Sequence, residues 1–191
     1  MKRLVCLLGS PKRKGNSAAI AGRLCAAAAA RGWEVRTFRL NDLSCRGCQA
    51  CMACKGTLDR CAVQDGLTEV LAAAGEAEVL LLASPVYYGD VSSQMKGFID
   101  RTYSYLVPDW YGKKKPSRLA SGRTLVWVLC QGFRGEKSFG DIFPKYRRFF
   151  KSYGFDRSHL IRQCGADPEG STELRDAAFK RADALAAELF S

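Results

Sequence analysis

Features of membrane proteins and of histidine-dependent hydrolases are missing from the sequence. No apolar run approaches the roughly 20 residues that a bilayer-spanning helix needs, and the run Leu4 to Gly9 is too short for a signal peptide. The one histidine, His159, lies outside any recognisable motif, so a Ser-His-Asp triad is not supported and a structural or surface role is expected. We expect a cytoplasmic protein with no membrane contact.

The composition is that of an ordinary globular protein. The chain has 191 residues, of which 47% are apolar and 26% are charged, and this length suits a single domain spanning residues 1–191. Nine cysteines would suggest a disulfide scaffold in a small secreted chain, but no export signal is recognisable, so we expect reduced thiols. The net charge of +11 comes without a nucleic-acid-binding motif. It therefore favours a phosphate-bearing cofactor or an acidic redox partner over nucleic acid.

Five predicted strands alternate with helices along the chain. Strands are expected over residues 2–9, 34–40, 78–83, 124–130 and 156–162, because each is a short apolar or alternating run. The first helix is expected to start at Asn16 or Ser17 and to end at Gly32, the second to start at residue 65, and the third to start at about residue 92 with Leu106 on its apolar face. The last two are expected over residues 138–153 and 171–190. Pro144 should bend or break the fourth helix. This alternation predicts a doubly wound parallel sheet with helices on both faces.

The loops after Gly9, Ser84 and Cys130 should lie together, because α/β proteins bind ligands at the carboxyl edge of the sheet. The first loop, GSPKRKGNS at residues 9–17, combines hydroxyls, an amide, cations and glycine at the start of a helix, which suits an anion. Neither Gly-x-Gly-x-x-Gly nor a Walker lysine motif is present. A single phosphate is therefore the better candidate ligand, and a solvated basic turn is the alternative.

The second loop, SPVYYG at residues 84–89, carries two tyrosines and a proline at the end of a predicted central strand. A flat ring can stack or lie edge-on there, although an ordinary hydrophobic turn has the same composition. These two loops, followed by MKGFIDR at residues 95–101, resemble the NADPH-dependent FMN reductase and iron-sulfur flavoprotein group of flavodoxin-like proteins. The likeness covers roughly residues 3–102.

The resemblance implies a flavodoxin-like α/β fold with a five-stranded sheet, FMN as cofactor and NAD(P)H as co-substrate. No side chain need act as an acid or base, because the flavin carries the chemistry. By the same resemblance the subunits form a homodimer or homotetramer. Three groups of residues would hold FMN: Ser10, Lys12, Asn16 and Ser17 at its phosphate, Pro85, Val86, Tyr87, Tyr88 and Gly89 along its ring, and Gln131 and Gly132 on the third side.

Five cysteines lie within seventeen residues of the predicted loop that follows the second strand, at positions 45, 48, 51, 54 and 61. Two-residue spacings suit a [4Fe–4S] cluster bound by four thiolates, structural zinc uses similar spacings, and bare thiols are the third interpretation. The iron-sulfur flavoprotein resemblance favours Cys45, Cys48, Cys51 and Cys61 as ligands, since Gly47 then matches the motif. The alternative set replaces Cys45 with Cys54. The remaining cysteines, at 6, 25, 130 and 164, are expected as buried apolar residues.

The leading hypothesis is an FMN-dependent oxidoreductase that takes electrons from NAD(P)H or a reduced carrier. Its acceptor would be a quinone, a flavin, dioxygen or a protein. The second hypothesis is an iron-sulfur flavoprotein that transfers electrons from ferredoxin, and the third is a zinc-stabilised interaction module without flavin.

Overall fold

Five parallel strands form the centre of the protein. The computed structural model describes residues 2–166 and 172–191. The strands are β1 (Arg3–Leu8), β2 (Glu34–Arg39), β3 (Val79–Tyr87), β4 (Asp90–Val91), β5 (Thr124–Cys130) and β6 (Arg157–Gln163). The order in the parallel sheet is β2-β1-β3-β5-β6. The parallel five-stranded sheet is confirmed. The prediction missed the short β4, which pairs antiparallel with Val86 and Tyr87 at the end of β3. Because of this pairing, β3 extends to Tyr87, beyond the predicted apolar strand of residues 78–83.

Alternate residues of the central strands fill two separate cores, because successive strand side chains point to opposite faces. Leu7, Leu82 and Trp127 belong to one core, and Leu8, Leu81 and Val128 belong to the other. Both faces of β1, β3 and β5 are therefore apolar, which explains their continuous hydrophobic sequence.

Helices cover both faces: α1 (Asn16–Ala29), α2 (Leu67–Glu76), α3 (Ser93–Arg101), α4 (Ile142–Ser152) and α5 (Thr172–Leu189). Residues of α1 and α5 pack in one core, and residues of α2, α3 and α4 pack in the other. Within residues 2–166 and 172–191, each helix is too short or too polar to cross a bilayer. The predicted start of the last helix at residue 171 lies outside the described residues.

Two helix predictions are wrong for identifiable reasons. The third helix ends at Arg101 and continues as a 3-10 turn over Thr102–Tyr105, so Leu106 is buried but not helical. The fourth helix begins at Ile142, which puts Pro144 in its first turn. First-turn N–H groups have no partner within a helix, so the missing N–H of proline neither bends nor breaks α4.

Candidate functional site

A cleft lies at the carboxyl edge of the sheet, between the loops that follow β1, β3, β5 and β6. Eight of the eleven predicted FMN-binding residues line it: Ser10, Lys12, Asn16, Ser17, Pro85, Val86, Tyr87 and Gly132. Lys14, Gly15, Cys130 and Ala166 complete the lining and were not predicted. The structure therefore brings the two motif-bearing loops together, as the topology required.

The first loop ends at the start of α1, where a glycine occupies the cap position. Gly15 stands at the cap position without a side-chain hydrogen bond, and the helix begins at Asn16 rather than being capped by Asn16 or Ser17. The Ser10 hydroxyl accepts a hydrogen bond from the Lys12 N–H at 3.1 Å and so tightens the loop. Two lysines and the first residues of α1 line one cleft, and the free amides and dipole of a helix start favour a phosphate there.

A buried serine pair joins the first loop to the second. The Ser92 hydroxyl donates to the Gly9 carbonyl at 2.7 Å, and the Ser92 N–H donates to the Ser84 hydroxyl at 3.0 Å. A Cβ added at Gly9 would stand 2.9 Å from the Ser92 hydroxyl, so only glycine permits this approach. The network fixes the two loops relative to each other, and the only sign of it in the sequence is the position of Ser92 at a predicted helix start.

The second loop is a β-hairpin, and α4 anchors it through hydrogen bonds to Asp90. Tyr88 and Gly89 occupy its turn with φ of 51° and 77°, and neither lines the cleft. The Asp90 carboxylate accepts hydrogen bonds from Lys145 Nζ and Tyr146 Oη, both at 2.8 Å. Burial by itself raises the pKa of Asp90, but these donors and the Val91 N–H outweigh it, so the pKa lies below its usual range.

Gln131 supports the third loop from inside, and its side chain does not line the cleft. Its amide donates to the carbonyls of Phe133 at 3.2 Å and Gly135 at 3.0 Å. Burial raises the pKa of the neighbouring Cys130 thiol to about 12. Ala166 reaches the cleft because β6 pairs with β5, a neighbourhood that only the sheet order reveals. His159 lies on β6 and does not line the cleft.

Four cysteines of the cysteine-rich loop line one small cavity: Cys48, Cys51, Cys54 and Cys61. Cys45 is absent from that lining, so the structure groups Cys54, and not Cys45, with the other three cysteines. Ala50 and Met52, on either side of Cys51, have φ of 50° and 56°, a left-handed conformation that curls the loop. Among the described residues, no three Cys, His, Asp or Glu side chains are arranged to hold a metal ion.

Cationic side chains surround this thiol-lined cavity. The Arg101 side chain is fully buried, lines the cavity and pairs with Asp65 at 2.5 Å. Lys55 Nζ lies 3.7 Å from Cys54 Sγ, and Arg118 Nη2 donates to the Cys54 carbonyl at 3.1 Å. Burial by itself lowers the pKa of Arg101, but the Asp65 carboxylate and the Cys61 thiol outweigh it and raise that pKa. Burial lowers the pKa of Lys55, and the Cys54 thiol opposes that shift.

Comparison with characterised sequences identifies relatives of about half of this chain. An iron-sulfur flavoprotein of Archaeoglobus fulgidus is 35% identical over 106 residues, which cover 54% of this chain and 46% of the relative. One of Methanocaldococcus jannaschii is 33% identical over 100 residues, covering 52% and 51%. The matched region thus spans about half the length of these curated relatives.

Solved structures share the fold over the whole chain. The FMN-dependent NADH-azoreductase of Bacillus anthracis, solved with FMN, superposes with a TM-score of 0.76 at 14% identity and full coverage of both chains. The NAD(P)H:quinone oxidoreductase of Methanothermobacter marburgensis gives 0.75 at 17% identity, covering 100% of this chain and 98% of that one. The model of the NADPH-dependent FMN reductase family matches residues 2–130, which is more than half of the sequence, and the chain belongs to that family.

Proposed function

We propose that this protein is an FMN-dependent oxidoreductase that takes electrons from NAD(P)H or a reduced carrier and passes them to a quinone, a flavin, dioxygen or a protein. The observation that carries the proposal is the cleft, where the start of α1, with Gly15 at its cap position, and two lysines share one lining with Pro85, Val86 and Tyr87 of the hairpin loop. An anion site beside an apolar and aromatic edge matches a molecule with a phosphate at one end and a flat ring at the other.

The residues of the cleft fit FMN in two parts. Ser10, Lys12, Asn16 and Ser17, together with Lys14, would hold the phosphate at the α1 start. Pro85, Val86 and Tyr87 would border the ring, with Tyr88 and Gly89 shaping the turn behind it and Gly132 closing the third side. Gln131 would act on that side through the loop it supports. FMN, when bound, supplies transfer of a hydride or of single electrons, while the chain anchors, orients and shields it.

A comparison of FMN with riboflavin tests the phosphate site directly, because riboflavin lacks the phosphate. Ser17 is 3% exposed and lines the cleft. Since a hydrogen bond to a charged group contributes about 1.5–3 kcal/mol, Ser17→Ala should weaken FMN binding about tenfold or more. Riboflavin affinity should stay unchanged, as measured by quenching of flavin fluorescence.

Ser93→Ala is the matched control, since Ser93 is exposed and outside the cleft. It should bind both flavins like the wild type. Equal weakening of FMN and riboflavin in Ser17→Ala, or no weakening of either, would contradict the proposed phosphate site.

We propose further that the cysteine loop binds a [4Fe–4S] cluster through Cys48, Cys51, Cys54 and Cys61. Four thiols line one cavity, and the Arg101 Nε beside them is buried with no hydrogen-bond partner among the described residues. A sulfur-rich anionic group suits both the thiol donor set and such a donor. The names of the curated relatives, each an iron-sulfur flavoprotein, support the same proposal.

Anaerobic reconstitution with iron and sulfide, followed by quantification of iron, sulfide and zinc, tests the cluster. The wild type and Cys45→Ser should each hold four irons, and Cys54→Ser should not. The reverse pattern would support the set with Cys45. A protein that binds FMN but no iron would contradict the cluster and support the interpretation of the cysteines as bare thiols. One zinc per chain without sulfide would instead support a structural zinc site.

Two partner proposals follow from the resemblance and the surface. The net charge of +11 suits an acidic electron carrier such as ferredoxin, so reduction by such a carrier should slow as salt increases.

A homodimer or homotetramer would cover the apolar groove beside α3 and α4, whose lining includes Ile99, Tyr103, Leu106, Trp110 and Phe149. Sedimentation equilibrium should give a mass of two or four chains, and a monomer would contradict this.

A further inference from the structure

The buried guanidinium of Arg101 lines the thiol-lined cavity, and its three hydrogen bonds all come from Nη1 and Nη2. Its Nη1 donates to Asp65 Oδ1 at 2.5 Å and to the Arg46 carbonyl at 3.3 Å, and its Nη2 donates to the Val63 carbonyl at 2.6 Å. The side chain is fully buried, whereas its Nε finds no partner among the described residues. A buried N–H without a partner costs free energy, so this donor is suited to a sulfur acceptor in the cavity.

A second cation, Lys55, is held beside the same thiols. Its Nζ donates to the Tyr103 carbonyl at 2.7 Å and to the Leu106 carbonyl at 2.8 Å. It also lies 4.1 Å from the centre of the Tyr103 ring. An ammonium group has three donors, and these two carbonyls leave one for Cys54 Sγ, 3.7 Å away. The contacts hold the charge near the sulfur instead of letting it extend into solvent.

Fixed positive charge next to a cluster alters its redox equilibrium. Reduction adds one electron to a site that four thiolates already make anionic, so a nearby cation stabilises the reduced form more than the oxidised form. Hydrogen bonds to the sulfurs act in the same direction, and both are among the factors that set cluster potentials.

We propose that Lys55 and Arg101 are positioning residues that raise the reduction potential of the cluster at Cys48, Cys51, Cys54 and Cys61. This inference rests on the proposed cluster. It concerns how easily the cluster accepts an electron, and not which residues ligate it. In a titration, dithionite supplies one electron to each cluster through mediators, and no bond of the chain forms or breaks.

The test is the midpoint potential of the reconstituted protein, followed by EPR of the reduced cluster under anaerobic conditions. Lys55→Met should lower the ratio of reduced to oxidised cluster about tenfold at a fixed ambient potential, which for a one-electron couple is a shift of about 59 mV. Lys55→Arg keeps the charge and should retain most of the wild-type potential. Lys114→Met removes an equal charge from an exposed site outside the cavity and should leave the potential unchanged.

Each outcome has a definite meaning. An unchanged potential in Lys55→Met, or an equal shift in Lys114→Met, overturns the inference while the proposed cluster stands. Loss of the cluster in Lys55→Met with FMN still bound also overturns it, because Lys55 would then be needed for cluster assembly. If the wild type itself binds no iron after reconstitution, the proposed cluster fails and this inference fails with it.

Discussion

At the scale of single residues, the pair Arg101 and Asp65 connects the cysteine loop to the rest of the molecule. Asp65 accepts hydrogen bonds from Arg101, from the Arg46 N–H at 2.9 Å and from the Leu67 N–H at 2.9 Å. One carboxylate thereby fixes the start of α2, an end of the cysteine loop and the buried cation. Loss of this carboxylate or of its Arg101 partner should therefore lower the free energy of unfolding.

Arg101→Met should destabilise the protein by about 3 kcal/mol, because breaking a buried ion pair leaves its partner without compensation. Urea unfolding followed by circular dichroism measures the change. Arg60→Met is the matched control, since Arg60 and Asp59 are 70% and 78% exposed, and it should cost well under about 1 kcal/mol. If both variants lost a similar amount of unfolding free energy, burial of the Arg101–Asp65 pair would not explain the destabilisation.

The Asp65 carboxylate also predicts how stability depends on pH. Burial by itself raises the pKa of Asp65, but Arg101 and the two backbone N–H groups outweigh it and hold that pKa below its usual range. The stabilisation is therefore fully present above the unfolded value of about 3.9 and is lost as pH falls through the lower folded pKa. Urea midpoints between pH 7 and pH 2.5 should fall more steeply for the wild type than for Asp65→Asn. Parallel curves would contradict this.

At the scale of elements, the connection from α4 to β6 depends on one glycine. Gly154 has φ of +102°, and a Cβ added there would lie 2.3 Å from the Ala120 carbonyl oxygen. Both the backbone conformation and the space therefore require glycine. By contrast, Gly22 lies within α1, and apart from its chain neighbours and the backbone of its own helix no atom lies within 4 Å of an added Cβ.

Substituting these two glycines by alanine should give opposite results. Gly154→Ala should lose at least about 2 kcal/mol of unfolding free energy through strain and steric clash. Gly22→Ala should gain about 0.5–1 kcal/mol, since alanine is the better helix former. Urea unfolding of both variants under one condition checks this. Destabilisation of Gly22→Ala would mean that its helix face is covered, as in an oligomer.

At the scale of the whole molecule, ligand binding and folding are linked, because the cleft exists only when four loops from separate strands meet. A ligand that binds only the folded state stabilises it in proportion to its occupancy. The loops after β1, β3, β5 and β6 supply the lining, so unfolding destroys the site completely.

FMN at about 100 times its dissociation constant should stabilise the protein by about 2.7 kcal/mol. For a chain of this size that corresponds to a rise in Tm of about 5–10 °C. Differential scanning calorimetry with FMN, riboflavin or neither checks it, and riboflavin at the same concentration should raise Tm less. A Tm that does not respond to FMN would contradict the proposed cofactor.

Local sequence patterns determine some features of this protein and leave others open. The strands were predictable, since runs such as residues 124–130 are apolar on both faces. The outcome of Pro144 was not, because it depended on where α4 begins. The position after a central strand correctly predicted Tyr87 in the cleft, but it predicted Tyr88 equally, and Tyr88 does not line the cleft. Gln131 has the same kind of position, but its amide turns toward the carbonyls of Phe133 and Gly135, and no motif specifies that direction.

The sequence by itself determined the order of strands and helices along the chain, the positions of the two motif-bearing loops and the grouping of five cysteines, because periodicity and motif spacing are local properties of a chain. Only the tertiary structure decided that Ala166 completes the cleft and that Cys54 rather than Cys45 shares a cavity with three other thiols. It alone placed Arg101 and Lys55 behind those thiols. These juxtapositions depend on sheet order and loop curvature, which arise from contacts between residues far apart in sequence.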